Sequence, residues 1–348
     1  MAGQMIKDLK ISAIRGALEV SAAMAALGLF PSLRGSGVIF TLHRVRPLGS
    51  DAFAPNRHLE ISPDFLEKAI LTLKAAGYRF ISTDMVRREL LTPSSSQPFA
   101  VFTLDDGFRD NVDHALPVFD RHGVPFTIFA CRGFSERSHT MWWETAAAMI
   151  AEGRTLAIET DHGPMRLACQ TLADKHKAFA RIATMIAAED EALAIERLNA
   201  AAYTVGVDPY AIVAENIMDG GELRKAAAHP LLTLGAHTVS HRGLARLSDD
   251  EILDELNQSA DYVASLTGKR PRVFAYPYGD QRSATDRTAA YAQWAGFELS
   301  VTTRAGTLSD ASLEKAHLLP RISLNGHYQA ARYVKALASG IPSRLSGR

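Results

Sequence analysis

Cysteine is almost absent from this 348-residue chain, which carries only Cys131 and Cys169. Two thiols cannot build a disulfide scaffold, and a cysteine-rich zinc ribbon is excluded with it. An excess of charge of one sign is missing as well. Lysine plus arginine and aspartate plus glutamate both total 38, so there is no global basic field to hold nucleic acid, and no nucleic-acid partner is expected. Long apolar runs are lacking too: the uncharged, mostly apolar stretch 20–30 is short for a membrane span. What remains is ordinary globular composition, 47% hydrophobic and 22% charged, at a length that suits one large domain or two smaller ones.

Residues 20–30 have the length of a signal-peptide core. However, Asp8 and Glu19 sit among Lys7, Lys10 and Arg15, and no small-x-small cleavage site follows. Met5, Ile6, Leu9, Ala13, Ala17 and Leu18 recur at helical spacing, so 1–35 is expected to be an amphipathic helix docked on the body. Contact with a membrane surface is the second reading of the same pattern. The expected location is cytoplasmic, with membrane association or an exported form as alternatives.

From 36 to 348 the sequence reads as one domain in which short apolar runs alternate with helical stretches. Runs at 38–42, 78–81, 99–104, 126–130, 231–236, 272–275, 297–302 and 318–324 predict strands. Ser62-Pro63 and the capping box Ser248-Asp249-Asp250-Glu251 open helices between them. Strand–helix alternation predicts an α/β fold with a parallel sheet, closed or nearly closed into a distorted β/α barrel. Between about 142 and 225 alanine-rich helical sequence takes over, and this segment is expected to be a helical insertion within the domain.

Three strand ends concentrate chemistry. The run 99–104 stops at Asp105-Asp106-Gly107. Two adjacent acids repel unless a cation or a shared proton offsets them, although an aspartate there could equally cap the next helix. The run 231–236 ends in His237-Thr238-Val239-Ser240-His241, whose histidines at i and i+4 would face one way on a helical turn. Together with one carboxylate they make a two-histidine, one-aspartate set that leaves positions open on a hydrolytic metal. The second acid stays free to take a proton from water. The run 272–275 leads into Tyr276-Pro277-Tyr278-Gly279-Asp280. Beside a metal site, that turn's amides could hold an oxyanion and its tyrosines could line a sugar pocket.

In this order the three motifs resemble the polysaccharide deacetylase family with the NodB-homology domain, carbohydrate esterase family four. The resemblance covers roughly 38–324, with the helical insertion unmatched. It implies a distorted β/α barrel of the glycoside hydrolase/deacetylase type and removal of N-acetyl groups from N-acetylglucosamine units, as in chitooligosaccharides. It also implies a divalent metal, zinc first among the candidates. Asp105 would be the catalytic base, and Asp106, His237 and His241 the metal ligands.

The sequence departs from the family pattern at several points. Leu104 replaces the usual phenylalanine of the first motif, and Ala275 and Tyr276 stand where an arginine and a proline are common. The orienting arginine is therefore missing from its usual place, and Arg321 in Leu319-Pro320-Arg321-Ile322 is the candidate replacement. The late Leu-x-His acid motif is not clear either; His317 is the first candidate for that acid and His327 the second. His43, at the end of the first strand, is a candidate to line the site with Tyr276 and Tyr278. Trp142 and Trp143 read as core, with sugar stacking as the alternative. The leading expectation is a metal-dependent glycan deacetylase. A binding protein of the same fold without turnover, favoured only by the lost arginine, and a deacetylase of a small non-glycan amide are the rivals.

Overall fold

Eight apolar runs build the central sheet of the computed structural model, which describes residues 2–345, with side chains for Leu9 and from Ile11 onward. The strands are β1 (Gly37–Leu42), β2 (Arg79–Phe80), β3 (Phe99–Leu104), β4 (Phe126–Ala130), β5 (Leu232–Ala236), β6 (Val273–Ala275), β7 (Leu299–Val301) and β8 (Ile322–Ser323). They lie in the order β7-β6-β5-β4-β3-β1-β8, and β2 pairs with the first residues of β3. Every pairing in this sheet is parallel, as strand–helix alternation requires.

Side chains along a strand alternate faces, and here the alternation separates two cores. Val38, Phe40 and Leu42 of β1 and Ala100, Phe102 and Leu104 of β3 face the surrounding helices. Ile39, Val101, Phe129, Ala275, Val301 and Leu319 fill the opposite, inner side. Burying each large side chain contributes about 1.5–3 kcal/mol. The same alternation carries the inner row of β3 on to Asp105, and that of β1 on to His43, at the C-terminal ends where barrel enzymes keep their chemistry.

The sheet curls until its two ends meet through one short segment. Leu319 makes a parallel bridge to Val301 of β7, and Ile322 and Ser323 pair with Phe40 and Thr41 of β1. The sequence predicted one continuous strand over 318–324. Pro320 interrupts it, because proline lacks the amide a ladder needs, and the Arg321 amide donates instead to the Arg304 carbonyl. The link therefore touches a different neighbour on each side of Pro320 and Arg321.

The segment expected to be a helical insertion, about 142–225, holds the helices Trp142–Glu152, Leu172–Ala188, Glu191–Tyr203, Pro209–Asn216 and Gly220–Ala227. It also contains an antiparallel hairpin, Thr155–Ile158 with Met165–Ala168, which the sequence did not reveal. Leu156, Ile158 and Leu167 point inward from the hairpin into a core shared with Met149, Ile150 and Ile182. Strands of four residues around Asp161-His162-Gly163 offer too few apolar positions to register as a period.

The N-terminal helix spans Ala2–Ala26 and lies against the helix Ala331–Ala338. Leu18 and Ser21 are its buried contacts, and Glu19 pairs with Arg332 and accepts from Tyr333. Leu9, Ala13 and Ala17 face outward rather than joining the predicted stripe, and the side chains of Met5 and Ile6 lie outside the described residues. No helix among the described residues is long and apolar enough to cross a membrane. Because Leu18 is the apolar anchor, Leu18→Asp is expected to expose Lys10 and Arg15 to trypsin at least tenfold faster while leaving the main melting transition in place. Equal cleavage rates would show that the helix is held by something else.

Candidate active site and metal centre

Asp105 leaves β3 with its amide bonded to the Leu42 carbonyl and its carboxylate almost fully buried. Arg321 meets it as a fork. Nη1 donates to Oδ1 and Nη2 to Oδ2, each at 2.7 Å. Nη1 also donates to Thr103 Oγ1 at 3.0 Å, and Nε donates to the Thr302 carbonyl at 2.8 Å. Paired, charge-assisted bonds of this kind are the strong ones. Burial alone would push the Asp105 carboxyl up; the Arg321 charge and its hydrogen bonds override that and hold it below the ordinary carboxylate range. Thr41 Oγ1 lies 3.4 Å from Oδ2, and His43 Nε2 lies 4.0 Å from the same oxygen.

Asp106 adopts a left-handed backbone, φ 74°, which turns its side chain away from its neighbour's. Its Oδ1 lies 3.3 Å from His237 Nε2 and 3.2 Å from His241 Nε2. That oxygen is buried and accepts no hydrogen bond from any described residue. The three ligand atoms lie within 4.8 Å of one another, and an orphaned carboxylate oxygen facing two imidazole nitrogens fits a cation. For bonds of 2.0–2.2 Å to a tetrahedral ion the ligand–ligand edge is about 3.3–3.6 Å. Asp106, His237 and His241 form the one such cluster among the described residues. Burial pushes the Asp106 carboxyl up, but the two imidazoles facing it hold it well below its usual value.

The histidine pair is oriented by its surroundings. His237 Nδ1 donates to the Ala275 carbonyl at 2.7 Å, which leaves Nε2 free to coordinate. Residues 237–241 form no helical turn, contrary to the sequence expectation: Thr238 and His241 take positive φ, 62° and 58°. Glu255, on the helix Asp249–Thr267, fixes this shape by accepting the Val239 and Ser240 amides at 2.6 and 3.0 Å and the Ser240 hydroxyl. The His241 ring rests among Phe134, Trp143 and Tyr278.

A cavity of about 350 Å³ opens above these groups, lined by His43, Asp105, Asp106, His237, His241 and Tyr278 among others. Burial holds the His43 ring below the ordinary histidine range, against the pull of Asp106 and Asp105. Tyr278, at φ 60°, donates its hydroxyl to Glu191 at 2.6 Å and accepts Trp142 Nε1 at 3.0 Å. Trp143 is buried while Trp142 is half-buried, and both border the cavity.

Three of the candidate site residues lie elsewhere. Tyr276 points into the helix-facing core beside Phe274, and its hydroxyl donates to the His317 carbonyl. His317 precedes the closing segment at the opposite end of the sheet from the cavity, with Nδ1 3.2 Å from Ser300 Oγ. His327 packs its ring against Tyr328 and is also absent from the cavity lining. Reasoning from sequence missed Asn56, His58 and Phe179, which line the cavity, together with Glu191 and Glu255. Those residues arrive through tertiary contacts that leave no local pattern.

A polysaccharide deacetylase family model matches residues 93–194 and 191–299. The chain belongs to the polysaccharide deacetylase family. The two matches meet inside the segment 142–225, so the family pattern extends into the stretch that the motifs alone left unmatched. No curated protein matches the chain. Among solved structures it resembles a Streptococcus pyogenes deacetylase, PplD, at 18% identity and TM-score 0.55, covering 83% of this chain and 92% of that one. It also resembles a Bacillus cereus polysaccharide deacetylase at 14% identity and TM-score 0.54, over 88% and 68% of the two chains. IcaB from Ammonifex degensii aligns at 17% identity and TM-score 0.51, over 86% and 98%. At such identities the likeness is one of fold, and the deacetylase-type barrel is the fold of this chain.

Arg321 offers a test of these electrostatics. Arg321→Met leaves Asp105 buried without its cation, where burial raises the carboxyl pKa, and is expected to cost about 3–5 kcal/mol at neutral pH. The sign with pH follows from linkage. The parent pair stabilises above the unfolded pKa of Asp105 and loses that contribution as pH falls through the lowered folded value. The variant instead gains stability as pH falls through its raised value. The gap between the two proteins in denaturant unfolding should therefore narrow on going from pH 7 to pH 4.5. A constant gap would remove the buried charge as its cause.

Proposed function

We propose that this protein is a metal-dependent hydrolase that removes N-acetyl groups from N-acetylglucosamine units of an oligo- or polysaccharide. The carrying observation is the Asp106–His237–His241 triangle beside a second carboxylate, Asp105, held in the fork of Arg321. Asp106, His237 and His241 would hold a divalent cation, zinc by the chemistry of the ligand set. When bound, the metal would polarise the acetyl carbonyl and lower the pKa of water. Asp105 accepts the proton of the attacking water, and Arg321 keeps it ionised and aimed beforehand. The amide of Tyr278 donates to the oxygen on which charge develops. The proton that Asp105 gains is the one the leaving amine requires. His43 Nε2, 4.0 Å from Asp105 Oδ2, is our candidate to carry it, in the role first considered for His317.

Arg321 also removes the sequence feature that favoured a binding protein without turnover, since the guanidinium absent at 275 reaches Asp105 from elsewhere. The experiment is acetate release from N-acetylglucosamine oligomers, with and without chelator. Activity that survives full metal removal, or no release from any oligomer, would overturn the proposal. Within an active preparation, Asp105→Asn is expected to abolish turnover and keep the metal, whereas Asp106→Asn should lose metal first. Equal metal loss in both would reverse these roles. For His43→Ala we expect kcat to fall by about 10²–10⁴ with metal content retained. A fall confined to KM would limit His43 to contact with the substrate.

A further inference from the structure

The outward face of the N-terminal helix carries no charge. Leu9, Ala13, Gly16, Val20, Ala23 and Leu27 are all exposed and recur at intervals of four and three residues, which puts them on one stripe opposite the buried Leu18. From Leu9 to Leu27 that stripe is about 27 Å long. It ends in large apolar side chains left in water: Leu27 is 76% exposed, Leu29 44% and Phe30 56%. Phe30 has a left-handed backbone, φ 54°, which a non-glycine residue keeps only where its surroundings impose it. The turn Pro31–Arg34 imposes it here. The Leu33 amide donates to the Phe30 carbonyl, and the Leu33 carbonyl accepts the Thr307 hydroxyl. The ring is thus held outward by a fixed turn, and exposed apolar surface of this kind marks a place of contact.

Beside the cluster lies a cavity of about 240 Å³, lined by Gly28, Phe30, Arg34, Tyr78 and Lys335 among others, with no carboxylate in the lining. Arg34 Nε is buried without a hydrogen-bond partner among the described residues, and Lys335 is exposed. The whole chain is balanced in charge, so an attraction for anions is a property of this place. The turn Pro31–Arg34 leads into the start of β1, and Tyr78 precedes β2. Because the strands are parallel, the patch lies at their N-terminal ends, opposite the cavity that holds Asp105 and Asp106.

We propose that this end of the barrel docks on the surface of an anionic phospholipid bilayer. The uncharged stripe lies in the interface plane, Leu27, Leu29 and Phe30 enter the acyl boundary, and a lipid phosphate meets Arg34 and Lys335. A second copy of the chain fits less well. At a two-fold contact the same patch meets itself, which would set these cations against each other with no acid between them. Docked on a bilayer, the protein turns its Asp105–Asp106 cavity away from the lipid.

The test is flotation of the full chain with vesicles of phosphatidylcholine alone and of phosphatidylcholine mixed with phosphatidylglycerol. Two cations worth about fivefold each predict an affinity at least tenfold higher for the mixed vesicles, falling as salt rises. Lys335→Gln should cut that preference about fivefold, and Leu27→Ser should weaken binding to the mixed vesicles about tenfold. Both positions are exposed, so neither variant threatens folding. Leu27→Trp should gain fluorescence quenching by brominated lipid over the parent protein. No binding, equal binding to both kinds of vesicle, or binding unmoved by either variant would overturn the proposal. So would a chain that ignores vesicles and sediments as a dimer until Leu27→Ser makes it a monomer, which would give the face to a second copy. No step of the assay uses turnover, so its outcome is independent of the catalytic reading.

Discussion

The ion pair between Asp105 and Arg321 is the constraint on which the rest of the site depends. Removing two charges from water costs several kcal/mol per ion unless geometry and further hydrogen bonds offset it. Here the fork satisfies both carboxylate oxygens, and the remaining guanidinium contacts go to Thr103 and to the Thr302 carbonyl. Arg321 is fully buried, with its guanidinium carbon 5.7 Å from the centre of the Phe129 ring. The pair joins the C-terminal end of β3 to the segment that links β7 and β1. One interaction therefore closes the sheet and sets the charge of the acid at its mouth.

Around that pair the backbone is held in conformations that side chains disfavour. Of the six non-glycine residues with positive φ among those described, Asp106, Thr238, His241 and Tyr278 all belong to the site. Each such residue costs of the order of 1–3 kcal/mol and persists only where its surroundings impose it. Glu255 supplies that constraint for the histidine turn, and Glu191 for Tyr278. The strain is thereby converted into direction: the left-handed turn at Asp106 sends adjacent carboxylates to different tasks, one toward two imidazoles and the other toward a guanidinium.

Much of this was legible in the sequence because barrel chemistry collects at strand exits. Asp105, Asp106, His237 and His43 follow directly on apolar runs, His241 comes four residues after His237, and each reaches the cavity. Arg321 was identifiable from the apolar residues flanking it in the last run. Tyr276 could have been excluded by the same alternation that worked elsewhere, since Ala275 lies on the inner face and its neighbour must point outward. His317 failed because it stands where a strand begins, whereas the cavity lies where strands end. The departure from a helical turn at 237–241 depends on Glu255, and the placement of Tyr278 on Glu191. Neither carboxylate is near its target in sequence, and no periodicity connects them.

The family resemblance led us to expect the orienting arginine at the position of Ala275, and in this chain the cation beside Asp105 comes 46 residues later in the sequence (321 − 275 = 46). That displacement has a temporal meaning during synthesis. A nascent chain that has completed the helix Asp286–Trp294 already contains both aspartates, both histidines and the Tyr278 turn. It still has a buried carboxylate with no countercharge, and an edge of the sheet with nothing to close it. Closure of the sheet and the pairing of Asp105 therefore both wait for the segment around Arg321 to emerge.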